Sequence, residues 1–264
     1  MRDLSYRHLL IEEVAPHVMV VTLNRPEVHN AFNTQMGQDL LDAFTALSDD
    51  SEVRAVVVKG AGEKAFCTGA DLKERASLDD AAWLVQHRLF ERAMAAVLNC
   101  RHPVIAAVEG FALGGGLELA LNCDLILASE ASTFAQPEVM RGIIPGGGGT
   151  QLLPRRIGSA RAKELIYSGR RIDALTAERW GLVNRIVPSG QVVAEAVELA
   201  KAMAANGPIA VRQAKWAIAR GMDEPIVHGL VIEIDAYNVT VPTEDRYEGV
   251  RAFNEKRAPN FQGR

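Results

Sequence analysis

Hydrophobic positions in the first half of the chain alternate between short continuous runs and helical stripes. The continuous runs predict buried strands at Val18–Leu23, Arg54–Lys59, Pro103–Val108 and Asp124–Ala128. Between them, apolar residues recur at helical spacing over Thr34–Leu47, and a capping-box pattern at Ser77–Asp80 predicts a helix from about residue 78 to Asn99. Strands that alternate with helices predict an α/β fold with a largely parallel or mixed sheet covered by helices.

From Ser159 onward the strand pattern nearly vanishes. The remaining apolar stripes predict six helices, at Ser159–Ser168, Thr176–Trp180, Val192–Ala205, Ile209–Ala219, Ile226–Tyr237 and Thr243–Glu255. We therefore divide the chain near residue 200, into an α/β core over 1–200 and a helical C-terminal region over 201–264.

Composition narrows the functional classes. The 264 residues have a net charge of −4 and are 48% hydrophobic, which is a poor match for a protein built to hold nucleic acid or anionic lipid. The three cysteines form no CxxC pair and the six histidines are scattered, so we expect neither a disulfide framework nor a metal site. With no secretory signal and no uncharged apolar run of membrane-spanning length, a cytoplasmic protein without a membrane helix is expected.

Three segments have the residue types that carry chemistry: FCTGADLKER at 66–75, FALGGGLELALNCD at 111–124 and FAQPEVMRGIIPGGGGTQ at 134–151. In the second, three glycines precede an apolar helix whose first turn contains Glu118. The N–H groups at such a helix start have no internal partner and can approach an oxygen closely. In the third, Glu138 follows Pro137. Taken singly, Glu118 could merely compensate the helix dipole and Glu138 could be a solvated loop residue.

Together, these three segments resemble the crotonase superfamily of enoyl-CoA hydratases and isomerases. The resemblance extends from LNRPEVHNAF at 23–32 to AFNEKRAPNF at 252–261. Within the superfamily the chain is most similar to hydratases, in particular to the branch that contains methylglutaconyl-CoA hydratases. The resemblance implies a spiral of ββα units followed by a C-terminal helical region that packs subunits into trimers, often paired as hexamers.

The resemblance also implies the site residues. Glu118 would orient and deprotonate water, and Glu138 would deliver a proton to Cα. The backbone N–H groups of Thr68 and Gly115 would bind the thioester oxygen. The residues expected to border CoA are Cys67, Thr68, Gly69, Ala70, Asp71 and Leu72, with Lys256 from the C-terminal region. No metal or redox cofactor is implied, because the acyl-CoA is the substrate.

The implied activity is that of an enoyl-CoA hydratase of fatty acid β-oxidation, a hydro-lyase. Methylglutaconyl-CoA hydratase, enoyl-CoA isomerase and carnitinyl-CoA dehydratase activities stay open as alternatives, as do the length and branching of the acyl chain.

RNA binding, known for one relative through a lysine-rich helix, is disfavoured because Ala31–Val53 has five acidic residues and no Lys or Arg. We interpret the basic cluster at Pro154–Arg171 as a solvated helix face. The expected partners are acyl-CoA and further copies of the chain, as a homotrimer or hexamer, without nucleic acid or membrane.

Overall fold

The computed structural model describes residues 6–264, which form two β-sheets surrounded by helices. The strands are β1 Leu9–Ala15, β2 Val18–Leu23, β3 Ala55–Gly60, β4 Ala65–Cys67, β5 Val104–Val108, β6 Phe111–Leu113, β7 Leu125–Ser129, β8 Thr133–Ala135, β9 Ile172–Asp173 and β10 Arg185–Val187. The larger sheet has the order β1-β2-β3-β5-β7-β10, and the smaller has the order β4-β6-β8-β9. The edge pairs β1–β2 and β8–β9 are antiparallel, and the other pairs are parallel.

Eleven α-helices lie within the described residues. They are α1 Thr34–Asp49, α2 Leu72–Arg75, α3 Asp80–Leu98, α4 Gly115–Asn122, α5 Gly149–Ile157, α6 Ser159–Ser168, α7 Ala174–Trp180, α8 Val192–Ala204, α9 Pro208–Gly221, α10 Ile226–Thr240 and α11 Glu244–Glu255. Side-chain caps define several starts: Asn33 accepts from the N–H of Met36 at α1, and Asp79 accepts from the N–H of Ala82 at α3. None of these helices has the length and hydropathy needed to cross a bilayer.

The chain winds through a repeated ββα unit. In the three units β3-β4-α3, β5-β6-α4 and β7-β8-α5, the first strand joins the larger sheet and the second joins the smaller one. A helix then returns the chain to the next unit. The predicted α/β fold and its ββα spiral are confirmed.

The continuous apolar runs are explained by a larger sheet that is covered on both faces. On one face, Val57 and Ile105 pack under α8 through its inward-facing Ala196 and Ala200. On the other, alternate strand residues such as Val56 belong to a larger core beneath the other helices. A strand that is buried on both sides has no polar face, and its sequence shows no alternation.

Most predicted elements agree with the structure to within a few residues. Position 200 lies inside α8, which packs on the larger sheet, so the change from α/β core to helical tail occurs at the turn between Ala204 and Pro208. The three-residue strands β4, β6 and β8, the short strands β9 and β10, the N-terminal strand β1 and helices α2 and α5 were not predicted.

Candidate active site

All three motif segments meet at one cavity of about 1240 Å³. Its lining includes Ala70 from the first segment, Gly115 and Glu118 from the second, and Glu138 and Gly147 from the third. The ββα repeat explains this convergence, because each segment follows a strand of the smaller sheet or opens the helix after it.

Close backbone packing brings α4 against the loop that precedes α2. A Cβ atom on Gly116 would stand only 2.0 Å from the carbonyl oxygen of Cys67, and one on Gly69 would stand 2.9 Å from the nitrogen of Gly115. Gly69 also has a φ of +87°, which favours glycine. The glycines of GAD and GGG are therefore required for the first turn of α4 to reach this loop.

Two backbone N–H groups at this junction face the cavity without an acceptor from residues 6–264. Gly115 is the first residue of α4, where helical N–H groups have no internal partner. Ala70 and Phe32 form an isolated parallel β-bridge, in which the residues on either side of Ala70 make the hydrogen bonds. Phe32 N–H donates to Gly69 O at 2.7 Å, and Asp71 N–H donates to Phe32 O at 2.6 Å. The N–H of Ala70 therefore lies on the opposite edge, 3.8 Å from the position of a Cβ on Gly115.

The sequence-based prediction paired Gly115 with Thr68 rather than with Ala70. Thr68 also lines the cavity, and its hydroxyl donates to the carbonyl of His29 at 3.3 Å. The backbone nitrogen found beside Gly115 is that of Ala70. This geometry favours Ala70 over Thr68 as the second oxyanion donor. The sequence could not show that the donor is residue 70 rather than residue 68, because the direction of each N–H group depends on the turn at Gly69.

Glu118 is buried in the first turn of α4, with only 4% of its surface exposed. Its Oε1 atom accepts two backbone N–H groups, from Gly147 at 2.7 Å and from Gly149 at 2.8 Å. Burial raises the pKa of Glu118 above its ordinary value, and these two N–H groups and the positive charge of Arg75 offset only part of that rise. The glycine run of the third segment thus fixes one carboxylate oxygen of Glu118 by hydrogen bonds to its backbone.

Glu138 begins the 3-10 helix Glu138–Arg141, directly after β8. Gly114 leaves room for its carboxyl group, since a Cβ there would lie 2.9 Å from Oε1 of Glu138. Burial, together with the negative charge of Glu118, raises the pKa of Glu138 to about 7. The cavity therefore contains two coupled carboxyl groups with different surroundings.

A buried amide that the sequence analysis did not identify supports Glu138. With its nitrogen toward the carboxylate, Gln136 donates to both Oε1 and Oε2 of Glu138 at 3.0 Å. When Glu138 is protonated, the same amide can present its oxygen as the acceptor. Gln136 is two residues before the glutamate in FAQPE, but nothing in that spacing indicates that the side chain turns toward it.

The predicted CoA-bordering segment lies at the cavity, with one exception. Thr68, Gly69, Ala70, Asp71 and Leu72 are all in the lining. Cys67 is fully buried, and its Sγ accepts from the N–H of Gly69 at 3.4 Å, so this side chain supports the loop from behind.

Asp71 has a positioning role that the motif alone did not reveal. Its carboxylate pairs with Arg25 at 3.0 Å and caps α2 through the N–H groups of Lys73 and Glu74. Arg25 in turn donates to the carbonyl of Ala31 at 2.7 Å. This network holds the Ala70 backbone against the residue 31–32 segment.

Lys256 is exposed at the end of α11 and does not line the cavity of its own chain. A contact between Lys256 and CoA stays a prediction. Three exposed cations, Lys73, Arg141 and Arg171, line the cavity, and the sequence analysis assigned none of them to the site. Arg171 ends the basic cluster that was interpreted as a solvated helix face. The three cations are suitable for anionic groups near the cavity mouth.

Comparisons with known proteins agree with this arrangement. The family profile of enoyl-CoA hydratase/isomerase matches residues 13–264. The chain is 40% identical over 265 residues to human mitochondrial methylglutaconyl-CoA hydratase, covering 99% of this chain and 78% of the relative. It is 43% identical over 248 residues to the mouse mitochondrial enoyl-CoA hydratase domain-containing protein 2, covering 92% and 84% respectively.

The fold is also similar to that of a crystal structure of enoyl-CoA hydratase from Bacillus anthracis. The TM-score is 0.96 at 43% sequence identity, with 98% of this chain and 100% of the other covered. The chain belongs to the enoyl-CoA hydratase/isomerase, or crotonase, family and is an enzyme of that family. The predicted cytoplasmic location stays a prediction, since two of these relatives are named as mitochondrial.

The coupling between the two carboxyl groups predicts an unusual titration. We expect the carboxyl band of Glu138, followed by isotope-edited infrared spectroscopy, to disappear with an apparent pKa of about 7. In Glu118→Gln this midpoint should fall, because removing a nearby negative charge favours ionisation of Glu138. Glu130→Gln, a change at an exposed position, should leave it in place. A midpoint near the ordinary value of 4.5 in the unaltered protein would contradict the coupling.

Proposed function

We propose that this protein is an enoyl-CoA hydratase, which adds water reversibly across the 2,3 double bond of a 2-enoyl-CoA to give a 3-hydroxyacyl-CoA. The observation that supports this most directly is the pair of carboxyl groups of Glu118 and Glu138 beside the N–H groups of Ala70 and Gly115, which have no acceptor among residues 6–264. Hydration of an enoyl thioester requires a base for water, an acid for Cα and donors for a developing enolate oxygen. The cavity has one group suited to each task.

The two glutamates are suited to different roles. Glu118 receives two N–H hydrogen bonds at Oε1, which favour its ionised form, and its other oxygen, Oε2, is left to accept a proton from water. Glu138 has a pKa raised to about 7, so a substantial fraction holds a proton at neutral pH. In the hydration direction, the water oxygen bonds to C3 as Glu118 takes its proton. Glu138 gives its proton to C2, and dehydration reverses both transfers.

The start of α4 would stabilise the charge that develops on the thioester oxygen. As water adds to C3, the π electrons move toward C1 and the thioester becomes enolate-like. N–H donation from Gly115 and Ala70, reinforced by the positive end of the helix dipole, lowers the energy of this species. Loss of one such donor typically costs about 3 kcal/mol of transition-state stabilisation.

The choice between Ala70 and Thr68 can be tested with a bound thioester. In a crystal structure with acetoacetyl-CoA, we expect the thioester oxygen within about 3.1 Å of the nitrogens of both Ala70 and Gly115. The N–H of Thr68 should be out of hydrogen-bond reach. A thioester oxygen bonded to Thr68 instead would return the assignment to the one made from the sequence.

The two-acid mechanism predicts a large loss of activity from either amide substitution. Glu118→Gln and Glu138→Gln should each lower kcat for crotonyl-CoA hydration by at least about 10³, while binding of the unreactive butyryl-CoA is retained. The reaction is followed by loss of the enoyl thioester absorbance, and binding by calorimetry. Glu130→Gln is the matched control on the surface.

An isomerase needs a proton shuttle but no attacking water. If either glutamine variant keeps kcat within about tenfold of the unaltered enzyme, the paired-acid hydration mechanism is wrong. If the unaltered protein interconverts 2-enoyl and 3-enoyl thioesters but does not hydrate crotonyl-CoA, the isomerase alternative replaces the hydratase assignment.

We also propose that the enzyme acts as a homotrimer or hexamer assembled through its C-terminal region. Helix α10 has one buried residue, Ala236, and packs mainly on α9. Five of its apolar side chains are 52% to 75% exposed: Ile226, Val227, Leu230, Val231 and Ile234. A surface helix whose apolar side chains are covered so little by its own chain is typical of a subunit interface.

Assembly can be measured by light scattering at micromolar protein. We expect a trimer or hexamer, and we expect Leu230→Glu to dissociate it because a charge would be buried at the interface. Leu175→Glu introduces the same change at an exposed position on α7 and should leave the mass unchanged. A monodisperse, fully active monomer of the unaltered chain would contradict the proposal.

A further inference from the structure

A pair of polar side chains on α3 lines the cavity and has no part in the hydration chemistry described above. The Nε2 atom of His87 lies 3.2 Å from Oε1 of Glu91, one helical turn later. Both residues belong to the cavity lining. Their side chains are 31% and 53% exposed, so the pair lies where the cavity wall meets solvent.

The imidazole ring of His87 is packed against the glycine run of the third motif segment. A Cβ on Gly146 would lie 2.5 Å from Cε1 and 2.6 Å from Nε2 of His87, so the ring needs a glycine there. Gly147 is the next residue, and a Cβ on it would lie 3.0 Å from Oε2 of Glu118. His87 is therefore separated by one residue from the contact with the oxygen that would take a proton from water.

The proposed mechanism sets the direction of the acyl chain in the cavity. C1 lies beside the N–H groups of Ala70 and Gly115, and C3 lies beside Glu118, where water adds. The carbons after C3 therefore continue past Glu118, toward the wall formed by Gly146 and His87. The segment expected to border CoA contains Ala70, so CoA leaves the reacting carbons in the other direction.

The surface available to these carbons changes from apolar to polar at the pair. Phe90 and Met94 are buried apolar residues of α3 that line the cavity. A hydrocarbon chain gains affinity with each CH₂ group that it buries against such residues. At His87 and Glu91 this gain ends, because a hydrocarbon packed against them would remove a carboxylate and an imidazole from water.

We propose that the His87–Glu91 pair closes the acyl end of the cavity and limits the length of the acyl group, so that the preferred substrate class is a short-chain 2-enoyl-CoA. This inference rests on the proposed hydratase function and specifies its substrate. A long chain would have to move the imidazole away from Gly146 or separate it from Glu91, which loses packing or a hydrogen bond. A short acyl group ends before the pair and leaves it intact.

A purely structural role for His87 makes a different prediction. If the ring served only to hold Gly146, and through Gly147 the hydrogen bond to Glu118, its loss would affect all acyl groups alike. Comparing a long with a short acyl group in the same variant separates the two roles, because an effect on Glu118 cancels in the ratio.

Binding of two unreactive saturated thioesters provides the test. We expect the unaltered enzyme to bind butyryl-CoA more tightly than octanoyl-CoA in calorimetry, whereas an open apolar channel would favour the longer chain. In His87→Ala/Glu91→Ala, the affinity for octanoyl-CoA relative to butyryl-CoA should rise by about tenfold or more. Glu91→Gln, which keeps a hydrogen bond to His87 without the charge, should give a smaller rise.

The matched control is Arg88→Met, which changes an exposed charged residue of α3 outside the cavity lining. It should preserve the ratio of the two affinities. Octanoyl-CoA binding as tight as that of butyryl-CoA, or tighter, in the unaltered enzyme would overturn the inference, even if the double variant does not fold. An unchanged ratio in a folded double variant would do so as well.

Turnover gives a second measurement. In the unaltered enzyme, kcat/KM should be higher for crotonyl-CoA than for 2-octenoyl-CoA. The ratio of kcat/KM for 2-octenoyl-CoA to that for crotonyl-CoA should rise by about tenfold or more in His87→Ala/Glu91→Ala. Equal losses for both acyl groups in this variant would support the purely structural role and contradict the length limit.

The outcomes also separate this inference from the proposed function. A preference for butyryl-CoA that depends on the pair, in a protein that hydrates neither enoyl thioester, would overturn the hydratase assignment and support the length limit. Hydration of crotonyl-CoA and 2-octenoyl-CoA with equal kcat/KM would do the reverse.

Discussion

The candidate active site depends on one steric constraint, the close approach of the first turn of α4 to the loop after β4. A side chain at Gly116 would collide with the carbonyl oxygen of Cys67, and one at Gly69 would collide with the nitrogen of Gly115. Because these positions are glycines, the N–H groups of Ala70 and Gly115, unpaired within the described part of the chain, face one cavity, and Glu118 enters it one turn later. The same packing places Gly114 where a side chain would exclude the carboxyl group of Glu138. Donors and acids are therefore positioned by a single backbone contact.

In the proposed mechanism, the surroundings of the two acids, rather than their chemistry, give them different roles. Both are glutamates and both are withdrawn from water, yet Glu118 receives backbone hydrogen bonds from Gly147 and Gly149 and has a cation nearby, whereas Glu138 lies beside an existing negative charge. The site thus distinguishes base from acid by means of neighbouring groups. Arg75 belongs to the same electrostatic system, because its positive charge acts on Glu118.

Prediction of secondary structure from the sequence worked best where a pattern was long or capped. The run Val56-Val57-Val58 is apolar on both sides because it is covered by α8 on one face and by the main core on the other, and Asp79 caps α3 close to its predicted start. Strands β4, β6 and β8 are too short for any periodicity to appear, and they exist because they pair with one another. The predicted boundary near residue 200 fell inside α8, because a helix that covers a sheet shows the same periodic apolar positions in its sequence as a helix of the C-terminal region.

The sequence by itself determined the α/β class and the family resemblance, and it singled out Glu118 and Glu138 as candidate acids, since glycine runs and adjacent acids are local features of the chain. Only the tertiary structure distinguished Ala70 from Thr68, because the direction of an N–H group depends on the turn at Gly69 and on pairing with Phe32. It alone turned Gln136 toward Glu138, and it alone buried Arg75 against the aromatic rings of α3. In GADLKER, that arginine looks like an ordinary surface residue of a charged helix. Its burial and orientation come from Gln86, Trp83 and Phe90 on α3, and contacts between separate elements exist only after the chain has folded.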